Sequence, residues 1–385
     1  MPRLLSFVLA VVLVPSLAWP SQPPTPDAEP IPDIARGEAF IDVVFALDTT
    51  GSMGALIEGA KQKIWSIANA IASAEPTPEI RMGLLAYRDV GDAYVTNIAE
   101  LTGDLDYFYS SLMQLQAGGG GDTPESVNQA LHESITRFAW SDDRATLRLL
   151  YLVGDAPPHM DYDHDVKYPV SCERAKDLDI FINTIQCGRI GGTEAVWREI
   201  ADFAGGEYFA IAQSGGMKVV ETPYDGDLAR LSRESDATFV SYGSSKEKAA
   251  QESKLEVARE IDEAGSATAL ADRAAFKSSA AGKASFGGGK ELLQDIESGK
   301  VKLEEIDEKE LPEVLRAVPA DKRAKWVANR AAHRQGLQEE ILWTQQKRLE
   351  WLKANTTESA DGFDRKVLEA LKAQAASKGI QYEDE

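Results

Sequence analysis

The chain has 385 residues and a formal net charge of −21 at neutral pH, and 27% of its residues are charged. This length allows roughly two domains. The negative balance argues against nucleic acid or an anionic membrane surface as a partner, because their phosphate groups would be repelled. The same charge suits a solvated protein that attracts divalent cations.

The first residues predict export. Met1-Pro2-Arg3 form a basic start, an apolar stretch runs from Leu4 to Leu17, and Ser16-Leu17-Ala18 has the small residues of a cleavage site. The apolar stretch is shorter than the ~20 residues that a membrane-spanning helix needs. We therefore expect a signal peptide over residues 1–18, a Pro-rich leader over 19–38, and a periplasmic or extracellular protein with no stable membrane insertion after signal cleavage.

Strands and helices alternate between residues 39 and 215, and the first strand pattern is a continuous apolar run, as in strands buried on both faces. This alternation predicts an α/β fold with a doubly wound, mostly parallel six-stranded sheet flanked by helices. Ligands in such sheets bind outside the carboxyl ends of the strands. The predicted strands are Phe40–Leu47, Ile80–Tyr87, Tyr94–Leu101 at an edge, Thr146–Val153, Ile180–Cys187 and Glu207–Ala212.

Beyond this unit the composition changes. Ser-, Lys- and Gly-rich stretches predict a linker with helices over residues 216–288, and an α-helical C-terminal region follows over 289–385. The two cysteines, Cys172 and Cys187, either pair in an oxidising compartment or remain buried thiols.

Three polar residues follow the first predicted strand at alternate positions: Asp48, Thr50 and Ser52. Alternate residues of an extended segment point the same way, so their side chains can converge. All three offer hard oxygen ligands, which Mg²⁺ accepts. The spacing therefore predicts a divalent-cation site.

Two more segments place oxygen ligands at the same predicted edge. The run Gly118-Gly119-Gly120-Gly121 leads through Asp122 and Thr123 into a helix, and its glycines allow close backbone approach. Gly154 and Asp155 directly follow the predicted strand Thr146–Val153. The sequence thus brings three distant segments to one site.

These residues give the chain a specific resemblance. Over about Ala39 to Gln213 it resembles a von Willebrand factor type A domain with a metal-ion-dependent adhesion site, whose pattern is D-x-[ST]-x-S, a threonine in a middle glycine loop, and an aspartate after the fourth strand. Asp48, Thr50 and Ser52 match the first element, and Asp155 matches the last. Either Asp122 or Thr123 corresponds to the middle ligand. The resemblance implies a site for Mg²⁺ or Mn²⁺.

Two of the three ligands in the first element are neutral hydroxyls, so the cation keeps much of its charge and an open position for an outside carboxylate. Asp155 would hold a metal-bound water. We expect a non-enzymatic binding module that recognises a Glu or Asp of a partner protein, in adhesion or in complex assembly in the cell envelope.

Two alternatives stay open at this point. One is a Mg²⁺-dependent phosphoryl-transfer or hydrolytic enzyme that uses Asp48, although Thr50 stands where a phosphatase needs a second carboxylate, and the glycine loop lacks the P-loop lysine. The other is a structural domain whose cation site stays empty.

A further cluster follows Asp155 and contains His159, Asp161, Asp163, His164 and Asp165. It could form a second metal site, but its histidine spacing matches no zinc motif. A solvated loop or a partner contact at the rim is the interpretation that the spacing favours.

Overall fold

The computed structural model describes residues 39–213, 219–286, 289–355 and 362–382. The predicted signal peptide and leader lie outside these residues. A six-stranded sheet forms the centre, in the order β3-β2-β1-β4-β5-β6, and only β3 runs antiparallel to its neighbour. This confirms the predicted fold class. The strands are β1 (Ala39–Asp48), β2 (Pro78–Tyr87), β3 (Thr96–Thr102), β4 (Leu147–Gly154), β5 (Ile180–Cys187) and β6 (Tyr208–Ile211).

Helices cover both faces of the sheet and form the region that follows it. No helix within the described ranges has the length and apolar character needed to cross a membrane. The helices are α1 (Gly54–Ala72), α2 (Leu105–Met113), α3 (Val127–Thr136), α4 (Tyr168–Asp177), α5 (Thr193–Phe203), α6 (Asp225–Asp236), α7 (Ser245–Ala264), α8 (Ala267–Ser278), α9 (Ala280–Phe286), α10 (Leu292–Glu297), α11 (Glu313–Arg316), α12 (Ala320–Asn355) and α13 (Gly362–Ala376), with 3-10 turns at Gly51–Met53 and Leu303–Glu305.

The sheet separates two apolar clusters. One face packs Val43 and Leu149 against α1 and α2, and the other packs Val44 and Leu150 against α3, α4 and α5. Alternation along each strand sends neighbouring residues to opposite faces. Cys187 belongs to the first cluster and Cys172 to the second, so the sheet lies between the two thiols, and both are buried and free.

The later helices extend the cluster on the α1 and α2 face. The ring of Phe276 on α8 lies 5.6 Å from that of Trp65 on α1, and Leu371 on α13 is buried in the same cluster. Asn183 on β5 and Gln374 on α13 exchange two side-chain hydrogen bonds of 3.1 and 2.8 Å. The segment predicted to be a linker with helices is therefore mostly helical in its described part, and it packs against the sheet domain.

A buried charge network fastens these helices to α2. The guanidinium of Arg273 on α8 is fully buried and donates to both carboxylate oxygens of Asp106, at 2.6 Å each, and to Asp236 at 3.0 Å. Burial alone would raise the pKa of Asp106, but the charge and hydrogen bonds of Arg273 outweigh it and hold that pKa below its ordinary value. The pair is therefore ionised and depends on both partners.

Gly154, the last residue of β4, lies where β1 and β4 end side by side. A Cβ atom added there would clash with the hydroxyl of the buried Tyr87 and lie 3.1 Å from Cβ of Asp48. Only glycine lets the two strand ends approach this closely. Gly154 thus sets the distance between the segments that carry Asp48 and Asp155.

We predict that Arg273→Met lowers the free energy of unfolding by about 3–5 kcal/mol, because the buried Asp106 loses the guanidinium that donates to both of its carboxylate oxygens. Urea unfolding followed by circular dichroism measures the change. Arg259→Met on α7 is the matched control, since its side chain is 58% exposed and its surface ion pairs contribute less than about 1 kcal/mol. A loss for Arg273→Met no larger than that of the control would contradict the assigned role of the network.

We also predict that Gly154→Ala destabilises the protein by about 1–3 kcal/mol, the usual cost of overpacking a filled core. Gly191→Ala serves as its control, because a Cβ atom there meets no atom within 4 Å. Equal unfolding midpoints for the two variants in urea would show that the strand ends can separate without cost.

Candidate functional site

Three segments meet at the carboxyl edge of the sheet, beside the point where the strand order reverses. β2 and β4 lie on opposite sides of β1, so the chain leaves the sheet in different directions after β1 and after β4. This reversal opens a crevice at the ends of the two strands. Asp48 ends β1, and Asp155 directly follows β4.

The structure brings the predicted first element together. Asp48 is fully buried, and its Oδ1 accepts hydrogen bonds from the backbone N–H of Thr50 at 2.8 Å and from its hydroxyl at 2.7 Å. The hydroxyl oxygens of Thr50 and Ser52 are 3.4 Å apart. Because Ser52 is exposed and Thr50 is buried, the three side chains form a short path from the core to the solvent.

Asp48 carries an uncompensated oxygen. Within the described part of the chain, its buried Oδ2 has no hydrogen-bond partner. Burial raises the pKa of Asp48 to about 7, and the charge of Asp155 adds to this rise, whereas the hydrogen bonds from Thr50 and a weaker interaction with the backbone of Asp155 lower the pKa. A buried carboxylate oxygen that lacks a donor is costly, and a bound cation would remove that cost.

Asp155 lies beside Asp48, as the sequence predicts. It is 2% exposed, and its Oδ2 accepts a hydrogen bond of 2.7 Å from the side-chain amide of Gln213. The hydroxyl of Thr193 at the start of α5 donates to the backbone carbonyl of Asp155 at 3.1 Å. The loop after β4 is therefore held from two sides, and Gln213 joins the site as a residue that the motif does not contain.

The glycine loop docks on the turn after β1. Gly118 donates its N–H to the carbonyl of Thr49 at 3.0 Å, and Gly51 donates to the carbonyl of Gly119 at 3.3 Å. Gly119 and Gly120 have φ angles of 79° and 85°, which non-glycine residues rarely adopt. The glycines thus allow this backbone to lie directly against the Asp48–Ser52 turn.

The two candidates for the middle ligand lie at the rim of the site. Asp122 and Thr123 are both exposed, and the Asp122 side chain retains 63% of its accessible surface. The Oδ2 atom of Asp122 lies 3.7 Å from Nε2 of His159. The structure therefore groups Asp122 with His159 rather than with Asp48.

Glu125 is a site residue that the sequence reasoning did not single out. It is 4% exposed, and a Cβ atom added to Gly120, next to Thr50, would lie 3.9 Å from its Oε1. Its Oε2 has no hydrogen-bond partner among the described residues. Burial, followed by the charges of Asp48 and of Asp89, raises the pKa of Glu125 to about 9.

A tertiary contact places Glu125 at this edge. Its N–H donates to the carbonyl of Pro157 at 3.0 Å, and its own carbonyl accepts from the N–H of His159 at 3.1 Å. These two bonds form a parallel bridge between the glycine loop and the loop after β4. In the sequence, a glutamate just before a helix is ordinary, because its negative charge interacts favourably with the helix dipole. No local pattern therefore marks Glu125 as a site residue.

The donor set is suited to a hard cation. Asp48 supplies an unpartnered carboxylate oxygen, Thr50 and Ser52 supply hydroxyls, and Asp155 and Glu125 supply further carboxylates close by. Mg²⁺ and Mn²⁺ prefer such oxygen ligands and retain bound waters. The residues present therefore fit a divalent cation, with Asp48, Thr50 and Ser52 as its primary holders.

Comparisons with known proteins agree with this architecture. Residues 42–222 match the family model of the von Willebrand factor A domain. Von Willebrand factor A domain-containing protein 7 of Mus musculus is 30% identical over 199 residues, which cover 51% of this chain and 21% of that protein. Alpha-protein kinase vwkA of Dictyostelium discoideum is 26% identical over 153 residues, which cover 39% of this chain and 24% of that protein.

The chain therefore matches less than a quarter of the length of either relative. Among solved structures, the VWA domain of SpRpn10 aligns with 48% of this chain and 100% of its own, at 14% identity and a TM-score of 0.36. The family match covers the six-stranded sheet and the site at its edge. Residues 42–222 thus match the von Willebrand factor A domain family and have a fold of that type, and a helical region follows them.

Proposed function

We propose that the domain is a protein-interaction module that binds a partner carboxylate through a divalent cation held by Asp48, Thr50 and Ser52. The unpartnered, buried Oδ2 of Asp48 is the observation that carries this proposal. A carboxylate in this position is stable when a cation lies against it. Mg²⁺ or Mn²⁺ would supply an electrophilic site with an exchangeable position.

The exposure gradient supports recognition from outside. Asp48 and Thr50 are buried, whereas Ser52 is exposed, as are Gly121 and Asp122 of the glycine loop. A ligand group from solvent therefore reaches the site at the side of Ser52. Two neutral hydroxyls leave the cation with most of its charge, which favours capture of an anionic Glu or Asp side chain.

The match to the von Willebrand factor A domain family supports a binding role over catalysis. One of the two relatives is a kinase, but the match covers 24% of that protein. Thr50, two residues after Asp48, donates a hydrogen bond to it, whereas an enzyme that forms a phosphoaspartate would have a second carboxylate at that position. We therefore assign the module to binding, in adhesion or in assembly of a complex in the cell envelope of an exported protein.

We predict that Mg²⁺ or Mn²⁺ raises the melting temperature of the wild type. At a free cation concentration of 100 times the dissociation constant, the corresponding gain in the free energy of unfolding is about 2.7 kcal/mol. Thr50→Val should abolish this gain because it removes a ligand hydroxyl at constant shape. Differential scanning calorimetry with and without EDTA measures it.

Thr49→Val is the matched control for this experiment. It also removes one buried threonine hydroxyl, but that hydroxyl bonds to the carbonyl of Tyr87 and to the hydroxyl of Tyr94, away from Asp48. The control should lose some stability and keep the whole cation-dependent gain. If Mg²⁺ or Mn²⁺ raises the melting temperature of Thr50→Val as much as that of the wild type, Thr50 is not a ligand of the cation.

We further predict that cell-envelope proteins bind the immobilised wild type in Mg²⁺ and elute with EDTA. The same proteins should bind Thr49→Val and fail to bind Thr50→Val, because only the second variant lacks a ligand. p-Nitrophenyl phosphate tests the rival function in parallel. Metal-dependent hydrolysis that disappears in Asp48→Ala would show that the domain is an enzyme and would contradict the proposed binding role.

A further inference from the structure

A second group of potential ligands lies beside the first site and uses none of Asp48, Thr50 or Ser52. Asp89 follows β2, Asp122 ends the glycine loop, and His159 lies in the loop after β4. Nε2 of His159 is 3.6 Å from Oδ2 of Asp89 and 3.7 Å from Oδ2 of Asp122. One ligand atom from each of the three residues lies within 4.8 Å of the others.

These separations are those of ligands around one small cation. With metal–ligand bonds of about 2.1 Å, two ligands of a tetrahedral site are about 3.4 Å apart. Direct N–H···O hydrogen bonds would need about 2.7–3.2 Å. The imidazole nitrogen and the two carboxylate oxygens are thus too far apart to share a proton directly, but close enough to share a metal ion.

The nitrogen that faces the two carboxylates is buried and unpartnered. The His159 side chain is 7% exposed, and Nε2 has no hydrogen-bond partner among the residues that the structure describes. On the other side of the ring, Nδ1 lies 2.9 Å from Oδ1 of Asp161. A carboxylate at Nδ1 favours the tautomer with the proton on Nδ1, which leaves the Nε2 lone pair directed at Asp89 and Asp122.

The surrounding side chains hold these ligands in place. Asp89 is 6% exposed, and it accepts hydrogen bonds of 2.8 Å from the hydroxyl of Ser126 on Oδ1 and from that of Tyr162 on Oδ2. The ring of Tyr162 also stacks on that of His159, with centroids 4.0 Å apart and an interplanar angle of 8°. Ligands fixed by outer hydrogen bonds and stacking are typical of metal sites.

We propose that Asp89, Asp122 and His159 form a second metal site, for Zn²⁺ or a chemically similar transition-metal ion. An imidazole ligand suits zinc and disfavours Mg²⁺ and Ca²⁺, which prefer oxygen-only sites. Three protein ligands leave a fourth position open. That position faces solvent, because Asp122 is the exposed member of the set.

Calorimetric titration of ZnCl₂ into metal-free protein tests the proposal, with Asp48→Ala as the background so that the first site does not contribute. One Zn²⁺ should bind per chain. Adding Asp122→Asn should weaken binding at least tenfold, and its exposed position keeps the fold intact. His159→Gln should abolish binding, and Asp161→Asn should weaken it about 10- to 100-fold through the orientation of the imidazole.

His164→Gln is the matched control, because this histidine lies in the same loop but its side chain is 62% exposed and points to Asp165. Its Zn²⁺ affinity should equal that of the background. The ligand-field spectrum of bound Co²⁺ gives a second measurement. This spectrum should change in His159→Gln and stay the same in His164→Gln. No Zn²⁺ binding to the background, or Zn²⁺ binding by Asp122→Asn and His159→Gln as tight as that of the background, would overturn the proposal without affecting the first site.

Discussion

The buried carboxylate of Asp48 is the constraint on which the site depends. Its Oδ1 is satisfied by Thr50, whereas its Oδ2 has no donor among the described residues and Asp155 lies beside it. Isolated buried charge is expensive, so such an arrangement persists when another group compensates it. The surrounding features, namely the docked glycine loop, the two hydroxyls and the path to solvent, are arranged so that a cation can provide that compensation.

The fold concentrates negative charge at this edge because of its strand order. β1 lies between β2 and β4, so the carboxyl ends of all three strands lie side by side, and an aspartate stands at or just after each end: Asp48, Asp89 and Asp155. Gly154 allows the closest approach, and Glu125 comes between the two groups of ligands through its backbone bridge. A separate buried ion pair, Arg273 with Asp106, attaches the later helices to α2.

Two neighbouring sites with different ligands would select different metals. The first has only oxygen donors around Asp48, which favours Mg²⁺ or Mn²⁺, while the second includes the imidazole of His159. Glu125 interacts electrostatically with Asp48 and with Asp89, which belong to different sites.

Local patterns in the sequence were sufficient for the fold class and for the first element of the site. Apolar runs identified the buried strands, and the alternate spacing of Asp48, Thr50 and Ser52 follows from the geometry of an extended segment. Long-range packing decided the rest. Asp122 turns to His159 because the glycine loop docks beside the loop after β4, Glu125 enters the site through a backbone bridge, and Cys172 and Cys187 are kept apart by the sheet. No spacing rule encodes such contacts, since Asp89, Asp122 and His159 become neighbours only when three strands align in one parallel sheet.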